Sequence, residues 1–222
     1  QFWLNAIRAS ENALKQQPLI GLSTTKDVQD AILQDPQYAS LIDVIDIRYW
    51  YYQADGSAYA PRGGEHLAPR QHARLMKPKG TTAQQVFRAV LEYKQRFPEK
   101  AVMYSAAGYD KHGWAVLMAG GSLADVPVKD AAFLTAVGTM RPVANHDEKQ
   151  WMLQHDTQGY VIYNMEDEQL QVDLQKTSGK FQAVWIHATT GTVRYEKPAV
   201  RGGKMVELKK PGGKEWVLWL RR

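Results

Sequence analysis

An acid, a base and an indole lie close together in one short apolar segment of the chain. Residues 41–52, LIDVIDIRYWYY, combine β-branched and aromatic residues without glycine or proline, which predicts a buried β-strand. Because side chains alternate between the two faces of a strand, Asp46, Arg48 and Trp50 would share the face of Val44. Such a face supplies a carboxylate for acid–base or nucleophilic chemistry, a guanidinium for anionic groups and an aromatic surface for sugars.

The polar face of this strand fits the inner wall of a parallel α/β barrel near the carboxyl ends of its strands, where such barrels hold their chemistry. In that setting Asp46 would be a catalytic residue and Arg48 a substrate-binding residue. A structural Asp46–Arg48 ion pair is an equally acceptable hypothesis, because paired charges also occupy buried positions. The segment alone leaves both alternatives open.

Aromatic and basic residues continue beyond the predicted strand. Trp50 and Tyr51 stand where the strand meets a loop, a position suited to stacking on a sugar but equally suited to packing. A long polar insertion follows over residues 53–83, and loops of this length are typically functional or disordered. Its mixture of charges and rings argues against disorder, so His66 and Arg70 become further candidates for substrate binding.

A second short apolar segment, residues 101–105, predicts another buried strand with a loop behind it. Tyr104 stands near the end of this strand and is a candidate for substrate binding. Asp110, in the loop, is the nearest carboxylate and becomes the second catalytic candidate.

The composition excludes several classes of function. The chain has 222 residues, no cysteine, a net charge of +5 and a pI of about 9.2. Without cysteine there is neither a disulfide nor a thiolate metal site, and the histidines lack zinc-binding spacing. No phosphate-binding loop, membrane-length apolar run or block of like charges occurs. We therefore expect no cofactor, no metal, no membrane and no nucleic acid, whereas the mild basic charge would attract acidic polymers such as acidic polysaccharides.

The pattern of elements predicts two domains, an α/β domain over residues 1–140 and an all-β domain over residues 141–222. In the predicted α/β domain, segments with helical spacing alternate with short apolar strands. This alternation indicates βα units and a parallel sheet. We predict helices over 2–15, 28–33, 81–96 and 131–137, and strands over 19–23, 42–50, 101–105 and 114–121. In the second, glycine-rich turns separate short strands, which is typical of an antiparallel β-sandwich. The expected strands are 151–154, 160–164, 170–174, 182–186, 193–195, 205–208 and 217–220.

Residues 184–192 and 211–220 resemble the collagen-binding-type β-sandwich that follows the barrels of bacterial apiosidase-like and related glycoside hydrolases. A tryptophan-bearing strand leads there to a Thr-Gly turn, and a strand containing Gly, Trp, Val and Leu closes the sheet. The first 138 residues are similar to the carboxyl-terminal half of such a (β/α)8 TIM barrel, with the four predicted strands as strands five to eight.

The resemblance implies a secreted or periplasmic bacterial glycoside hydrolase acting on plant or algal polysaccharide, present as its carboxyl-terminal portion. Its catalytic acid would follow strand four, upstream of residue 1, so the amino-terminal half of the barrel is the implied partner, as a separate chain or a lost segment. The second carboxylate is expected near the end of strand seven, where this chain has Ser105, so Asp46 or Asp110 would replace it. The alternative hypothesis is a non-catalytic carbohydrate- or matrix-binding module.

Overall fold

The computed structural model describes residues 2–14, 18–59, 80–143 and 149–222. Its helices are α1 (Phe2–Leu14), α2 (Lys26–Gln34), α3 (Pro36–Ala39), α4 (Ala83–Arg96), α5 (Gly113–Met118) and α6 (Ala131–Thr139). Its strands are β1 (Gly21–Ser23), β2 (Val44–Ile47), β3 (Tyr51–Tyr52), β4 (Ala58–Tyr59), β5 (Ala101–Tyr104), β6 (Arg141–Val143), β7 (Gln150–His155), β8 (Gly159–Asn164), β9 (Gln169–Asp173), β10 (Lys180–His187), β11 (Val193–Tyr195), β12 (Val200–Arg201), β13 (Met205–Lys209) and β14 (Trp216–Arg221). The chain divides into two compact units, Gln1–Val116 with Gly121–Ala124, and Leu117–Gly120 with Asp125–Arg222.

The first unit contains a parallel sheet in the order β1-β2-β5, so its strands lie side by side in the order in which they occur along the chain, with the β3–β4 hairpin and α4 between β2 and β5 in sequence. Ile45, Ile47 and Val102 on one face are completely buried. Helix α4 packs against β2 and β5 and buries an apolar stripe that includes Val86 and Val90. These βα units confirm the alternation expected from the sequence.

Segment 114–121 is a helix and a turn, so the prediction of a fourth strand is wrong. Helix α5 covers Gly113–Met118, and the chain then turns at Gly120 and Gly121. A short apolar run has the same composition in a buried strand and in a buried helix, and its periodicity does not distinguish them. The close approach at Gly121 fixes the turn, because a Cβ there would lie 2.6 Å from Val116 Cγ1. The described part of the first unit therefore holds three parallel strands.

The strand expected over 42–50 is shorter than predicted. β2 ends at Ile47, so the alternation of faces does not continue to Arg48 and Trp50. The chain then forms a small hairpin in which β3 pairs with β4, and Gly56 adopts the positive φ that its turn requires.

The second unit is antiparallel throughout its sheets. The larger sheet has the order β11-β10-β14-β8-β7-β6, with β12 added to β10, and a separate pair joins β9 to β13. A shared apolar core lies between this pair and the larger sheet: Tyr160, Ile162, Leu170, Val172, Leu174, Phe181, Ala183, Trp185, Val200, Leu218 and Leu220. The second unit also includes helix α6, whereas its described residues from 141 onward form strands and turns, and all seven strands predicted there are present. β6 and β12 were not predicted, because they are short and contain few apolar residues.

Lys210 is a buried cation in the second unit. It is 3% exposed, and its ammonium donates to the carbonyl oxygen of Asn164 and, over 2.8 Å, to that of Lys214. Burial lowers the pKa of Lys210 to about 8, while Asp167 and Glu168 act in the opposite direction. The side chain therefore links the end of β8, at Asn164, to the turn at Lys214. Removing its charge from water is unfavourable and opposes this stabilisation.

We expect the contribution of Lys210 to stability to increase at alkaline pH. Its folded pKa of about 8 is below the ordinary 10.5, so the folded state binds fewer protons between these values. The stabilising contribution of Lys210 is therefore complete above the pKa that the side chain has in the unfolded chain, and it is lost as the pH falls through the pKa that it has in the folded protein. The free energy of unfolding of the protein minus that of Lys210→Met should rise by ~2–3 kcal/mol between about pH 7 and about pH 10. Urea denaturation measures this difference, and a flat difference would contradict the assignment.

Candidate functional site

Three polar side chains meet at the carboxyl ends of the parallel strands. Asp46 of β2 accepts a hydrogen bond from Ser105 Oγ at 2.6 Å through Oδ1 and one from Ser23 Oγ at 3.0 Å through Oδ2. Ser23 is the last residue of β1, and Ser105 directly follows β5. One member thus lies at or directly after the carboxyl end of each parallel strand. We call the three residues the Ser-Asp-Ser cluster.

The cluster lies on the more accessible face of the sheet. Register pairs Ser23 with Asp46 and Asp46 with Met103, so these residues share one face. Ser23 is exposed, and Asp46 and Met103 are half-buried, in contrast to the fully buried isoleucines of the opposite face. A ligand can therefore approach the carboxylate from this side.

The geometry of the cluster suits a base or a nucleophile. Both oxygens of Asp46 accept a hydrogen bond from a serine hydroxyl. Two hydroxyl donors from separate strands fix its orientation, and each oxygen keeps a free lone pair for a substrate hydroxyl, a water or a sugar carbon.

The structural Asp46–Arg48 ion pair considered from the sequence is not formed. Both side chains are described, and the partners of Asp46 are the two serines. Arg48 lies beyond the end of β2, is exposed, and has its guanidinium carbon 6.0 Å from the ring centroid of Tyr49. It is therefore free to bind an anionic or hydroxylated ligand.

Trp50 is completely buried, with its indole packed between helices. Its ring contacts those of Tyr52 and Tyr93 edge-on, at centroid distances of 5.5 and 5.8 Å. The ammonium of Lys26 lies 4.8 Å from the ring centroid. The structure thus gives Trp50 a packing role on the side of the sheet that the helices cover.

Gln29 connects this packed indole to the strands that carry the cluster. The amide is completely buried in α2, and its Oε1 accepts from Trp50 Nε1 at 2.8 Å. Its Nε2 donates to the carbonyl oxygens of Leu22 and Asp46, at 3.0 and 3.1 Å. Gln29 is a positioning residue that the sequence did not reveal, because one glutamine in an amphipathic helix carries no signal of its partners.

An ion-pair network supports Trp50 from the helix surfaces. Lys26 Nζ lies 2.9 Å from Asp30 and 2.7 Å from Glu92, and Arg96 lies 2.9 Å from Asp30. Burial alone raises the pKa of Asp30, but hydrogen bonds from Lys26, Arg96 and Tyr93 outweigh it and lower that pKa below its usual value. The network fixes α2 against α4, and with it the position of Gln29.

Tyr51 and Tyr104 are both nearly buried. The ring of Tyr51 lies 4.9 Å from that of Tyr59, and the hydroxyl of Tyr104 donates to Ala107 O at 2.8 Å. Burial raises the pKa of Tyr51 and of Tyr104 above the usual value for tyrosine. These phenols therefore stay neutral at neutral pH.

The remaining candidates are dispersed. Asp110 is exposed in the loop after β5, where its charge acts on the half-buried His112. Burial lowers the pKa of His112 despite that charge, so the imidazole is neutral at neutral pH. His66 and Arg70 lie outside the described residues.

Among the residues that the structure describes, no three histidines or carboxylates are placed to hold a metal ion. Within the same ranges, no helix has the length and apolar character that crossing a membrane requires.

Comparison with known proteins identifies the family but not its activity. The family described as a domain of unknown function, DUF6298, matches residues 1–140, and the chain belongs to it. No curated protein matches the chain.

Several solved structures are similar at low identity. One, called a glycoside hydrolase, has a TM-score of 0.49 and 13% identity over 82% of this chain and 53% of its own. A family 5 glycoside hydrolase from Bacteroides vulgatus has a TM-score of 0.37 and 15% identity over 65% of this chain and 37% of its own. A family 44 xyloglucanase from Paenibacillus polymyxa has a TM-score of 0.41 and 14% identity over 87% of this chain and 49% of its own. The chain spans about half or less of the length of each.

Proposed function

We propose that the chain is the carboxyl-terminal part of a glycoside hydrolase acting on plant or algal polysaccharide, and that Asp46 is its nucleophile or base. The observation that supports this most directly is the Ser-Asp-Ser cluster, a carboxylate held at the carboxyl ends of parallel strands on their accessible face. Barrel enzymes place their chemistry at this position of the sheet.

The strand order supports a barrel segment. The parallel strands β1, β2 and β5 lie side by side in the order in which they occur along the chain, as the strands of a (β/α)8 barrel do. We interpret them as part of the second half of such a barrel. The second unit is then its collagen-binding-type β-sandwich, and the whole is a secreted or periplasmic bacterial enzyme.

The accessible face of the sheet would receive the amino-terminal half of the barrel. An inner wall of a barrel is buried by side chains from the other strands, and here Val44, Ala101 and Met103 are only half-buried. That half would also supply the catalytic acid, since glycoside hydrolysis uses two carboxyl groups.

The first experiment is size-exclusion chromatography with intact mass spectrometry of the native protein, followed by screening of the purified species on plant and algal polysaccharides. Release of reducing sugar by a species that contains a complete barrel would support the proposal. A chain that is folded and stable alone, with no additional barrel segment and no hydrolysis, would contradict it.

Replacement of Asp110 tests whether the second carboxylate belongs to this chain. If Asp110 is the acid–base group, Asp110→Asn should lower hydrolysis at least ~100-fold. Because the side chain is exposed, we expect the variant to fold normally, and circular dichroism checks this. An unchanged rate would remove Asp110 from the mechanism and place the second carboxylate on the amino-terminal half.

A further inference from the structure

The second unit contains a groove that is rich in lysine and arginine. It encloses about 560 Å³, within the range of ordinary ligand sites. We call it the basic groove; its walls are formed by Lys180, Glu196, Lys197, Pro198, Ala199, Val200, Arg201, Lys204, Val206 and Leu208.

The cations of the basic groove are not neutralised by neighbouring acids. Lys180, Lys197, Arg201 and Lys204 are all exposed, and within the described ranges none forms an ion pair with a carboxylate. The one acid in the lining, Glu196, has its Oε2 engaged by Trp185 Nε1 at 2.9 Å. With four cations against one carboxylate, the groove carries an excess of positive charge that attracts polyanions.

The floor of the basic groove is aliphatic. Val206 and Leu208 alternate on β13 and reach the apolar core of the unit, and Val200 is buried beside them. Among the described residues that line the groove, none has an aromatic ring on which nucleotide bases could stack. The groove could thus contact the phosphates of a nucleic acid but could not stack on its bases. A polysaccharide with anionic sugars requires mainly cations next to its anionic groups, and the groove supplies these.

We propose that the basic groove binds an anionic polysaccharide through the carboxylate or sulfate groups of its sugars. Arg201 can hold such a group with a planar fork of donors, and the lysines act as adjacent point charges. This goes beyond the proposed hydrolysis, because the groove belongs to the second unit and its binding does not involve Asp46.

The test compares two variants of the full chain with equal net charge. Lys197→Glu with Lys204→Glu reverses two cations of the groove, and Lys111→Glu with Lys129→Glu reverses two exposed lysines outside its lining. Affinity electrophoresis measures binding to polygalacturonate, dextran sulfate, neutral glucomannan and double-stranded DNA. Thermal melts confirm that both variants are folded.

We expect the groove variant to bind polygalacturonate or dextran sulfate at least about tenfold more weakly, because attractive charges become repulsive, and the control variant to bind as the unaltered chain does. Which of the two polymers binds better identifies carboxylate or sulfate as the preferred group. Equal losses in both variants, tighter binding of DNA than of either polysaccharide, or binding of glucomannan alone would overturn the proposal. Binding is measured without hydrolysis, so its failure is distinct from failure of the proposed enzyme activity.

Discussion

Asp46→Asn is expected to lower the rate of glycosidic bond hydrolysis at least ~100-fold while leaving the protein folded. Asparagine has the same size and keeps one oxygen acceptor, but it has neither the charge of a nucleophile nor the basicity of a proton acceptor. The loss should therefore appear in kcat with little change in the melting temperature. The assay uses the complete natural polypeptide and the polysaccharide on which it is most active.

A neighbouring carboxylate provides the matched control. Asp43 immediately precedes the same strand, where its Oδ2 accepts from Ile20 N at 2.8 Å and from Arg8 Nη2 at 2.9 Å. Asp43→Asn should reduce stability without changing kcat. Ser23→Ala and Ser105→Ala should give smaller losses than Asp46→Asn, because they loosen the carboxylate without removing it. Equal rates for the Asp46 and Asp43 variants would show that the cluster is structural.

Trp50→Ala is expected to destabilise the first unit by about 3–5 kcal/mol, the usual cost of removing a large buried aromatic side chain. The indole is 0% exposed and contacts two tyrosine rings, so its removal leaves a cavity and leaves Gln29 Oε1 without its donor. Urea denaturation followed by circular dichroism measures the loss.

Trp50→Phe separates the two contributions. It keeps most of the ring packing but loses the bond to Gln29, so it should cost about 1–3 kcal/mol, the penalty of an unsatisfied buried polar atom. A Trp50→Ala protein with unchanged stability and weakened substrate binding would instead support the substrate-contact role considered from the sequence.

The sequence predicted the regular elements of the first unit well where two signals agreed. Helix α4 combines an apolar stripe, the Thr82 cap and a proline two residues past its end, and its predicted range was nearly correct. The error at Trp114 arose where composition was the only signal. A short apolar run is equally suited to a strand or a helix, and tertiary packing around Gly121 determines the outcome.

The candidate site was predictable only in part. Asp46 became a candidate because it is an acid in an otherwise apolar strand, where an unpaired charge is costly to bury, and its catalytic role stays a prediction. Its serine partners come from residues 23 positions before and 59 positions after it in the chain, and only the parallel register brings them together. The sequence interpretation assumed that the strand continues past Ile47, and it therefore assigned Trp50 to the same face as Asp46. The strand ends at Ile47, and Trp50 packs on the side that the helices cover.

In the proposed enzyme, the buried amide of Gln29 would link the stability of the first unit to the placement of Asp46. It is bonded to the indole at one end and to the backbone of Leu22 and Asp46 at the other, so a shift of α2 would also displace the backbone that carries the carboxylate. Substitutions at Lys26 or Glu92 would weaken the ion pair that holds α2 against α4. In the proposed enzyme they would then alter turnover from a distance, because Gln29 would no longer be held in place. Selection for a thermally robust protein and selection for an efficient one would act on the same few side chains.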